Sequence, residues 1–206
     1  MNSRHEHWQT VYTTKDEHQT SWFRPHLDES LRLIGQLQLD STAPIIDVGG
    51  GRSTLADDLL QHGCTDLTVL DLSEQALDDS RARLHERAGA VRWLAADVLQ
   101  ATLPAAHFAV WHDRAVFHFL TEAADRARYR EQLSHAVGLG GYAILATFAS
   151  DGPERCSGLP VCRYDAETLS AAFAPDFERI ADSQELHPTP FGTEQHFTYV
   201  VLRRVR

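Results

Sequence analysis

The sequence predicts a single α/β domain in which a mostly parallel sheet carries helices on both faces. Short apolar runs alternate along the chain with segments of helical character, and several of these runs end at glycine or aspartate. Strands that alternate with helices imply a parallel sheet. The 206 residues, 43% of them hydrophobic, suffice for one full core. Ligands of such sheets bind at the carboxyl ends of the strands, so functional residues are expected directly after each strand.

The predicted strands are short apolar runs bounded by turn residues. Five parallel strands are expected at residues 44–48, 67–70, 90–95, 107–111 and 142–148. Two longer segments, 177–186 and 196–203, close the chain as a hairpin whose connection is the proline- and glycine-containing stretch 188–192. The hairpin adds an antiparallel last strand to the sheet.

The predicted helices follow from apolar spacing and from capping residues. After Pro25, the apolar residues Leu27, Leu31, Ile34 and Leu37 recur at helical spacing. Capping and stop residues predict further helices at 54–62, 73–88, 121–137 and 166–173. Residues 1–24 are polar with interleaved aromatic side chains, and we assign no regular element to them.

Composition limits the classes of partner. The formal net charge is −10, which disfavours binding to the nucleic-acid backbone. The sequence contains no apolar run of the roughly 20 residues that cross a membrane, and its first residues are polar rather than signal-like. Three cysteines suit a reducing compartment, so a cytoplasmic location is expected. We expect a monomer or a homodimer and predict no metal site.

A glycine turn follows the first predicted strand. It contains Gly49, Gly50 and Gly51, with Asp47 before it and Ser53 after it. Glycine lets the chain turn sharply and lets a ligand approach the backbone closely. The helix that follows offers free N–H groups to a carboxylate or a phosphate. A glycine turn at this place therefore indicates a ligand site.

Two further acids follow the next two strands. Asp71 stands 20 residues after Gly51, and an acid at this distance can accept hydrogen bonds from both hydroxyls of an adenosine ribose. Asp97 ends the third strand, where an acceptor can bind the exocyclic amine of adenine. Three carboxylates at three successive strand ends indicate an adenosine-containing cofactor more strongly than any one of them.

The pattern Asp47-x-Gly49-x-Gly51-x-Ser53 resembles the first motif of class I methyltransferases, with Ser53 in place of the usual third glycine. The resemblance covers about residues 42 to 203 and implies a Rossmann-like seven-stranded sheet with S-adenosyl-L-methionine as cofactor. It implies that Asp47 lies near the methionine amino group and that Gly49 and Gly51 face the methionine moiety. By the same resemblance Asp71 holds the ribose, Asp97 and Val98 frame the adenine, and Gly50, Ser53 and Leu72 are further cofactor contacts.

A nicotinamide dehydrogenase is the nearest competing enzyme class. Its fingerprint would place the third glycine at Thr54, where that glycine normally permits close helix packing. The chain also lacks the length for a separate substrate domain. A binding module that senses S-adenosylmethionine without turnover is the alternative of another class, because the turn and the carboxylates serve both.

The segment after the fourth strand resembles the motif that forms the floor of the methyl-transfer site. His112 and His118 are candidate general bases, because the pKa of histidine lies near neutral pH, and Asp113 joins them as a catalytic candidate. His112 is also a candidate cofactor contact, and Arg114 and Phe117 are candidate substrate contacts. The alternative is structural: Asp113 pairs with Arg114, and His118 packs between aromatic neighbours.

The N-terminal segment, residues 1–41, is expected to cover the cofactor and the substrate, with the methyltransferase domain at 42–206. Trp8, Tyr12 and Trp22 resemble the Trp-x-x-x-Tyr and Trp-Phe elements of a branch that includes protein-lysine methyltransferases. The resemblance implies that Trp8 and Tyr12 lie near the methionine end and Trp22 near the transferred methyl. The alternative is that these rings only pack on the core.

The long loop after the fifth parallel strand and the final hairpin supply the last candidates. Phe148, Cys156 and His196 are expected to contact the substrate. Together these observations predict methyl transfer to a small molecule, at nitrogen, oxygen, sulfur or a metalloid. Protein lysine is the alternative acceptor, although the branch's Asp-Lys-Gly element is replaced here by residues 113–115, Asp-Arg-Ala.

Overall fold

A seven-stranded sheet forms the centre of the computed structural model, which describes residues 3–206. The strand order is β3-β2-β1-β4-β5-β9-β8, with parallel pairing from β3 through β5 and antiparallel pairing of β9 with both β5 and β8. The predicted fold class is thereby confirmed. The seven strands are β1 (Ile45–Val48), β2 (Leu67–Asp71), β3 (Val91–Ala95), β4 (Phe108–Arg114), β5 (Val137–Phe148), β8 (Phe177–Pro188) and β9 (Glu194–Arg204).

Helices cover both faces of this sheet. The six α-helices of the described chain are α1 (Ser3–Thr14), α2 (Asp28–Gln36), α3 (Leu55–Gln61), α4 (Glu74–Leu84), α5 (Ala123–Ala136) and α6 (Ala166–Ala171). Residues of α2, α3 and α4 share one buried cluster, and residues of α5 and α6 share the other. The pleat of β1 illustrates the division, because Ile45 belongs to the first cluster and Ile46 to the second.

The structure differs from the sequence-based expectation mainly at the N-terminus and around β4. Residues 3–14 form helix α1, although their polar sequence shows no apolar stripe. Residues 1 and 2 of the predicted covering segment lie outside the described residues. Strand β4 continues through Arg114 because the polar groups of His112 and Asp113 find partners inside the protein. The apolar run alone indicated an end at 111.

Smaller differences concern the ends of other elements. Strand β5 begins at Val137, where the helix was expected to continue. The loop after β5 contains a short hairpin formed by β6 (Arg155–Cys156) and β7 (Leu159–Pro160). No helix within residues 3–206 combines the length and the apolar composition that crossing a bilayer requires.

A buried hydrogen-bond network fixes the end of β4 to α5. Asp113 is fully buried, and its carboxylate accepts hydrogen bonds from the N–H groups of Val116 (2.7 Å) and Phe117 (3.0 Å) and from the Tyr129 hydroxyl. The Trp111 indole N–H donates to the same Tyr129 oxygen at 2.9 Å. Burial raises the pKa of Asp113 to about 6, while the Tyr129 hydrogen bond opposes the rise.

We expect Tyr129→Phe to lower the free energy of unfolding by about 1–3 kcal/mol. The change leaves the buried Trp111 N–H without its acceptor and removes one of the three donors to buried Asp113. Urea denaturation monitored by circular dichroism measures the effect. Tyr142→Phe is the matched control, because no hydrogen bond of the Tyr142 hydroxyl occurs within the described residues. Equal loss in both variants would contradict the network's role.

Candidate cofactor and acceptor site

A deep cleft lies at the carboxyl ends of the parallel strands. It encloses about 900 Å³, with open solvent at its mouth included. A second cavity of about 530 Å³ adjoins it, also counted with its open space. The walls of both contain Tyr12, Trp22, Gly49 and Arg114, so the two cavities meet above the glycine turn. The larger is called the main cleft here and the smaller the side cavity.

The glycine turn lies beside both cavities, and two of its positions have no room for a side chain. Gly49 has a φ of +70°, and a Cβ placed there would lie 2.1 Å from a methyl carbon of Val116. At Gly51 a Cβ would lie 2.8 Å from Oδ2 of Asp71 and 3.0 Å from the Tyr12 hydroxyl. Side chains at these positions would therefore push apart the groups that form the site.

Asp47 presents an unpaired acceptor at the side cavity. Its Oδ1 accepts a hydrogen bond from the His112 Nδ1–H at 2.7 Å, and the other ring nitrogen of His112 lies 2.9 Å from the Ser30 hydroxyl. Its Oδ2 is buried and has no partner among the described residues. A buried carboxylate oxygen without a donor fits an ammonium group, such as that of a methionine moiety.

Asp71 lies in the wall of the main cleft at the end of β2. It is 5% exposed, and its Oδ1 accepts a hydrogen bond from the Ser73 N–H at 2.8 Å. Burial raises the pKa of its carboxyl to about 7, and the nearby Asp47 carboxylate acts in the same direction. The N–H groups of Ser73, Gly51 and Leu72 partly oppose that rise. A carboxylate at this position suits the two hydroxyls of a ribose.

The part of the main cleft next to the ends of β2 and β3 is a mostly apolar slot. Leu72, Ala96, Val98 and Leu120 contribute to its walls, together with Asp97. The Asp97 Oδ1 accepts a hydrogen bond from the Leu99 N–H at 3.0 Å, which fixes the carboxylate at the rim. Apolar walls with one acceptor suit the flat adenine ring and its exocyclic amine. The orphaned Asp47 oxygen, the buried Asp71 and this slot together fit S-adenosylmethionine.

Helix α1 covers both cavities, and Arg52 holds it there. The Arg52 guanidinium donates to the carbonyl oxygens of Tyr12 and Lys15, both at 2.5 Å, and also binds Asp79 of α4. Trp8 and Tyr12, four residues apart on one helix, consequently share the face that lines the main cleft. This cover was predicted for residues 1–41 from the aromatic pattern, but its helical form was not.

Arg114 separates the aromatic part of the main cleft from the side cavity. Its guanidinium donates to the Tyr199 hydroxyl at 3.0 Å and pairs with Glu185 at 3.3 Å, and it stacks on the Phe197 ring with the carbon of the guanidinium 4.4 Å from the centroid. The expected structural pair of Asp113 with Arg114 is wrong, because successive strand residues point to opposite faces.

Five predicted site residues are absent from the walls of both cavities. One is Gly51, which lies close to Asp71 and Tyr12, and the other four are distant from a ligand site. Asp113 and Phe117 are buried on the α5 side, and His196 is exposed and pairs with Asp151 at 3.0 Å. His118 is fully buried between aromatic rings, where burial and then the charge of Arg114 lower its pKa to about 3. The structure does not bring these side chains to a ligand, and we do not carry their catalytic or substrate roles forward.

His112 does not lie where a general base would be expected, at the acceptor end of the main cleft. It reaches only the side cavity, and both its ring nitrogens are engaged, one by Asp47 and one by Ser30. We therefore treat it as a positioning residue for Asp47. Trp22, Phe148 and Cys156 do line the main cleft, as predicted for substrate contacts, and Ser53 and Gly50 line the side cavity.

Several residues of the cavities were missed from sequence. Arg24 and Thr20 line the side cavity, and Gln195, Phe197 and Phe119 line the main cleft. The hairpin strand was expected to begin at 196, whereas β9 begins at Glu194. Alternation along β9 then turns 195 and 197 towards the cleft and 196 away. A period-two reading from the correct first residue would have found Gln195.

Comparison with known proteins finds a family model that matches the segment around the cleft. Residues 45–141 match the family model described as a methyltransferase domain. That segment contains β1 to β4, the glycine turn and the three strand-end aspartates. No curated protein matches the chain in sequence.

Solved structures share the fold over nearly the whole chain. A protein of echinomycin biosynthesis, where a disulfide bond is converted into a thioacetal group, aligns with a TM-score of 0.80 and 19% identity over 98% of this chain and 92% of its own. The Burkholderia thailandensis 1,6-didemethyltoxoflavin-N1-methyltransferase was solved with 1,6-didemethyltoxoflavin and S-adenosylhomocysteine. It aligns with a TM-score of 0.73 and 21% identity over 99% of this chain and 85% of its own. The N-methyltransferase NodS from Bradyrhizobium japonicum WM9, solved with S-adenosyl-L-homocysteine, aligns with a TM-score of 0.72 and 15% identity over 98% of this chain and 99% of its own.

These findings agree with the cleft. At such identities the structural likeness establishes the fold, while the family model matches the segment that carries the glycine turn. Two of these structures contain S-adenosylhomocysteine, the demethylated form of the predicted cofactor. Residues 45–141 thus match a methyltransferase domain in sequence, and the whole chain has the fold of S-adenosylmethionine-dependent methyltransferases.

Proposed function

We propose that this chain transfers the methyl group of S-adenosylmethionine to a small-molecule acceptor, at nitrogen, oxygen, sulfur or a metalloid. The observation that carries the proposal is the continuity of the main cleft. It runs from the slot at Asp97 past Asp71 and Gly49 into a chamber lined by aromatic side chains. A cofactor that fills the first part would direct its methionine end towards this chamber and leave the chamber for an acceptor.

Each strand-end acid has a task in this proposal. The unpaired Asp47 oxygen binds the cofactor's ammonium, with His112 holding the carboxylate in place. Asp71 accepts hydrogen bonds from the ribose hydroxyls, and Asp97 accepts one from the adenine amine. Arg24, in the wall of the side cavity with one guanidinium nitrogen buried and unpaired, is placed to receive the cofactor's carboxylate.

The chain promotes the reaction by positioning and by exclusion of water. When bound, the cofactor supplies an activated methyl group on a sulfonium. The chamber is lined by Trp8, Trp22, Phe119, Phe148 and Phe197, and aromatic rings suit a positive charge and keep water out. Within the described residues the walls of the main cleft contain no histidine, and we assign no general base.

The walls of the chamber favour a small molecule over a protein lysine. The acidic side chains in the described walls of the main cleft are Asp71 and Asp97, and both belong to the cofactor end. The charged side chain nearest the acceptor end is the positive Arg114, so an incoming lysine ammonium would find no partner there. The Burkholderia relative, with its small heterocyclic acceptor, supports the same choice.

An acceptor screen tests the proposed function. Cell extract is divided into protein and small-molecule fractions, each is incubated with the enzyme and S-adenosylmethionine, and release of S-adenosylhomocysteine is measured. We expect release with the small-molecule fraction. Release only with the protein fraction would contradict a small-molecule acceptor and favour a protein lysine as the acceptor. Cofactor binding in calorimetry without release in either fraction would favour a sensing module.

We expect Asp71→Asn to weaken binding of S-adenosylhomocysteine by roughly 10- to 150-fold, about 1.5–3 kcal/mol, because the ribose loses hydrogen bonds to a charged acceptor. Isothermal titration calorimetry measures this change. Asp78→Asn, on the exposed face of α4, is the matched control and should leave the affinity unchanged. An unaltered affinity in the Asp71 variant would refute the ribose assignment.

The raised pKa of Asp71 predicts a pH dependence of binding. The ionised carboxylate is the form that accepts from both hydroxyls, and burial raises its pKa to about 7 in the unliganded protein. Below this pH the ligand must displace a proton, so affinity for S-adenosylhomocysteine should rise by up to about tenfold per pH unit from pH 5.5 and level off above 7. An equally steep profile in Asp71→Asn would assign the dependence to another group.

A further inference from the structure

Gln195 is a buried polar side chain in the wall of the main cleft whose carboxamide has no partner. The residue is 9% exposed, and its Oε1 is buried without a hydrogen bond among the described residues. No hydrogen bond to its amide nitrogen occurs there either. Buried carboxamides in proteins are almost always paired, so an unpaired one beside a cavity indicates a ligand that pairs it.

The surroundings of Gln195 are aromatic and apolar. In the sheet, β9 pairs with β5 so that Phe197 lies opposite Phe148, and the two ring centroids are 5.0 Å apart. Trp22 and Cys156 line the same cleft. Burial raises the pKa of the Cys156 thiol to about 11, so that the group is uncharged at neutral pH. Ring faces around a thiol suit a flat, uncharged molecule.

Two of the other polar side chains near this end are committed to the protein. Arg114 is engaged by Tyr199 and Glu185, and one of its nitrogens lies 3.5 Å from the Trp22 carbonyl oxygen. His187, the cross-strand neighbour of Gln195, is buried, and its Nε2–H donates to the Ser21 carbonyl oxygen at 2.6 Å. This bond fixes the segment before Trp22 against the hairpin. Gln195, by contrast, presents a buried acceptor with no partner among the described residues, and this oxygen can recognise a polar group.

We infer that the acceptor is a planar, uncharged heteroaromatic molecule and that Gln195 determines its specificity. The carboxamide oxygen accepts a hydrogen bond from an N–H or O–H on one edge of the ring, while Trp22, Phe148 and Phe197 contact its apolar surface. This inference rests on the proposed function, which it narrows to a class of acceptor. Gln195 orients the ring, and so sets which of its atoms meets the methyl group.

The recognition predicts a sharp preference between matched ligands. A site that pairs a buried polar group rejects an analogue without the matching donor, because the group then stays unpaired. A bicyclic lactam such as quinolin-2(1H)-one carries the N–H donor, whereas its N-methyl analogue has the same ring without it. The two molecules have nearly equal apolar area, so a difference in their affinities reports the N–H donor.

Binding of such pairs to the S-adenosylhomocysteine-loaded protein tests the inference without turnover. A panel of bicyclic lactams and fused azoles, each with its N-methyl analogue, is titrated by ligand-observed NMR. We expect at least one N–H ring to bind at least tenfold more tightly than its analogue. In Gln195→Leu this preference should disappear, and in the matched control Gln184→Leu, on the exposed side of the same hairpin, it should persist.

The outcomes separate this inference from the proposed function. Equal binding of both members of every pair by the wild type, or a preference retained in Gln195→Leu, would overturn the role of Gln195. Failure of the whole panel to bind would overturn the heteroaromatic class, even where the acceptor screen detects methyl transfer. Absence of S-adenosylhomocysteine binding would instead overturn the proposed function. Gln195→Met provides a second apolar variant if Gln195→Leu does not fold.

Discussion

The contact on which the site depends most is that of the Arg52 guanidinium with the end of helix α1. Arg52 belongs to the glycine turn, and it binds the carbonyl oxygens of Tyr12 in α1 and of Lys15 directly after it while pairing with Asp79 of α4. Its side chain is 15% exposed, and it also lies over the Tyr12 ring at 5.3 Å. One arginine thus connects the glycine turn on one side of the site to helix α1 on the other side. Its contacts fix the position of the helix relative to the turn.

A second constraint is the burial of polar groups within the sheet itself. His112 and Asp113 are consecutive residues of β4, yet each has its hydrogen-bonding groups paired on its own face. His112 supports Asp47 and Ser30, whereas Asp113 holds the turn into the 3-10 helix at Phe117–Phe119. Polar side chains in a buried strand are stable only when they are paired in this way, which explains why these residues are structural although their chemistry suggests catalysis.

The contrast shows what sequence reasoning can reach in this fold. The βα alternation, the glycine turn and the strand-end acids are local patterns, and all were placed correctly because their spacing reflects the backbone directly. Asp71 and Asp97 follow strands whose ends the apolar runs define well. Helix α1 is different, because its position comes from Arg52 and from a hydrogen bond of the Ser73 hydroxyl to Gln9, more than 60 residues away. No local pattern contains that information.

The same limit applies to the acceptor end of the cleft. Gln195 faces the cleft because it stands two residues before Phe197 on β9, and side chains two apart on a strand share a face, but the apolar residues did not extend the expected strand to 195. His196 was consequently preferred on its chemistry alone, while the side chain beside it faces the cavity. Long-range strand pairing decides this register, and the pairing of Phe148 with Phe197 is its clearest evidence.

The end of helix α1 has one more property, which is of practical use. Lys15 is the sole lysine of the sequence, its side chain is exposed, and its carbonyl oxygen is the one that Arg52 holds. An amine-reactive fluorophore would therefore attach directly after this helix, apart from the terminal amine. A dye at this position, beside the cover of the main cleft, would allow the residence of each ligand to be timed from its emission.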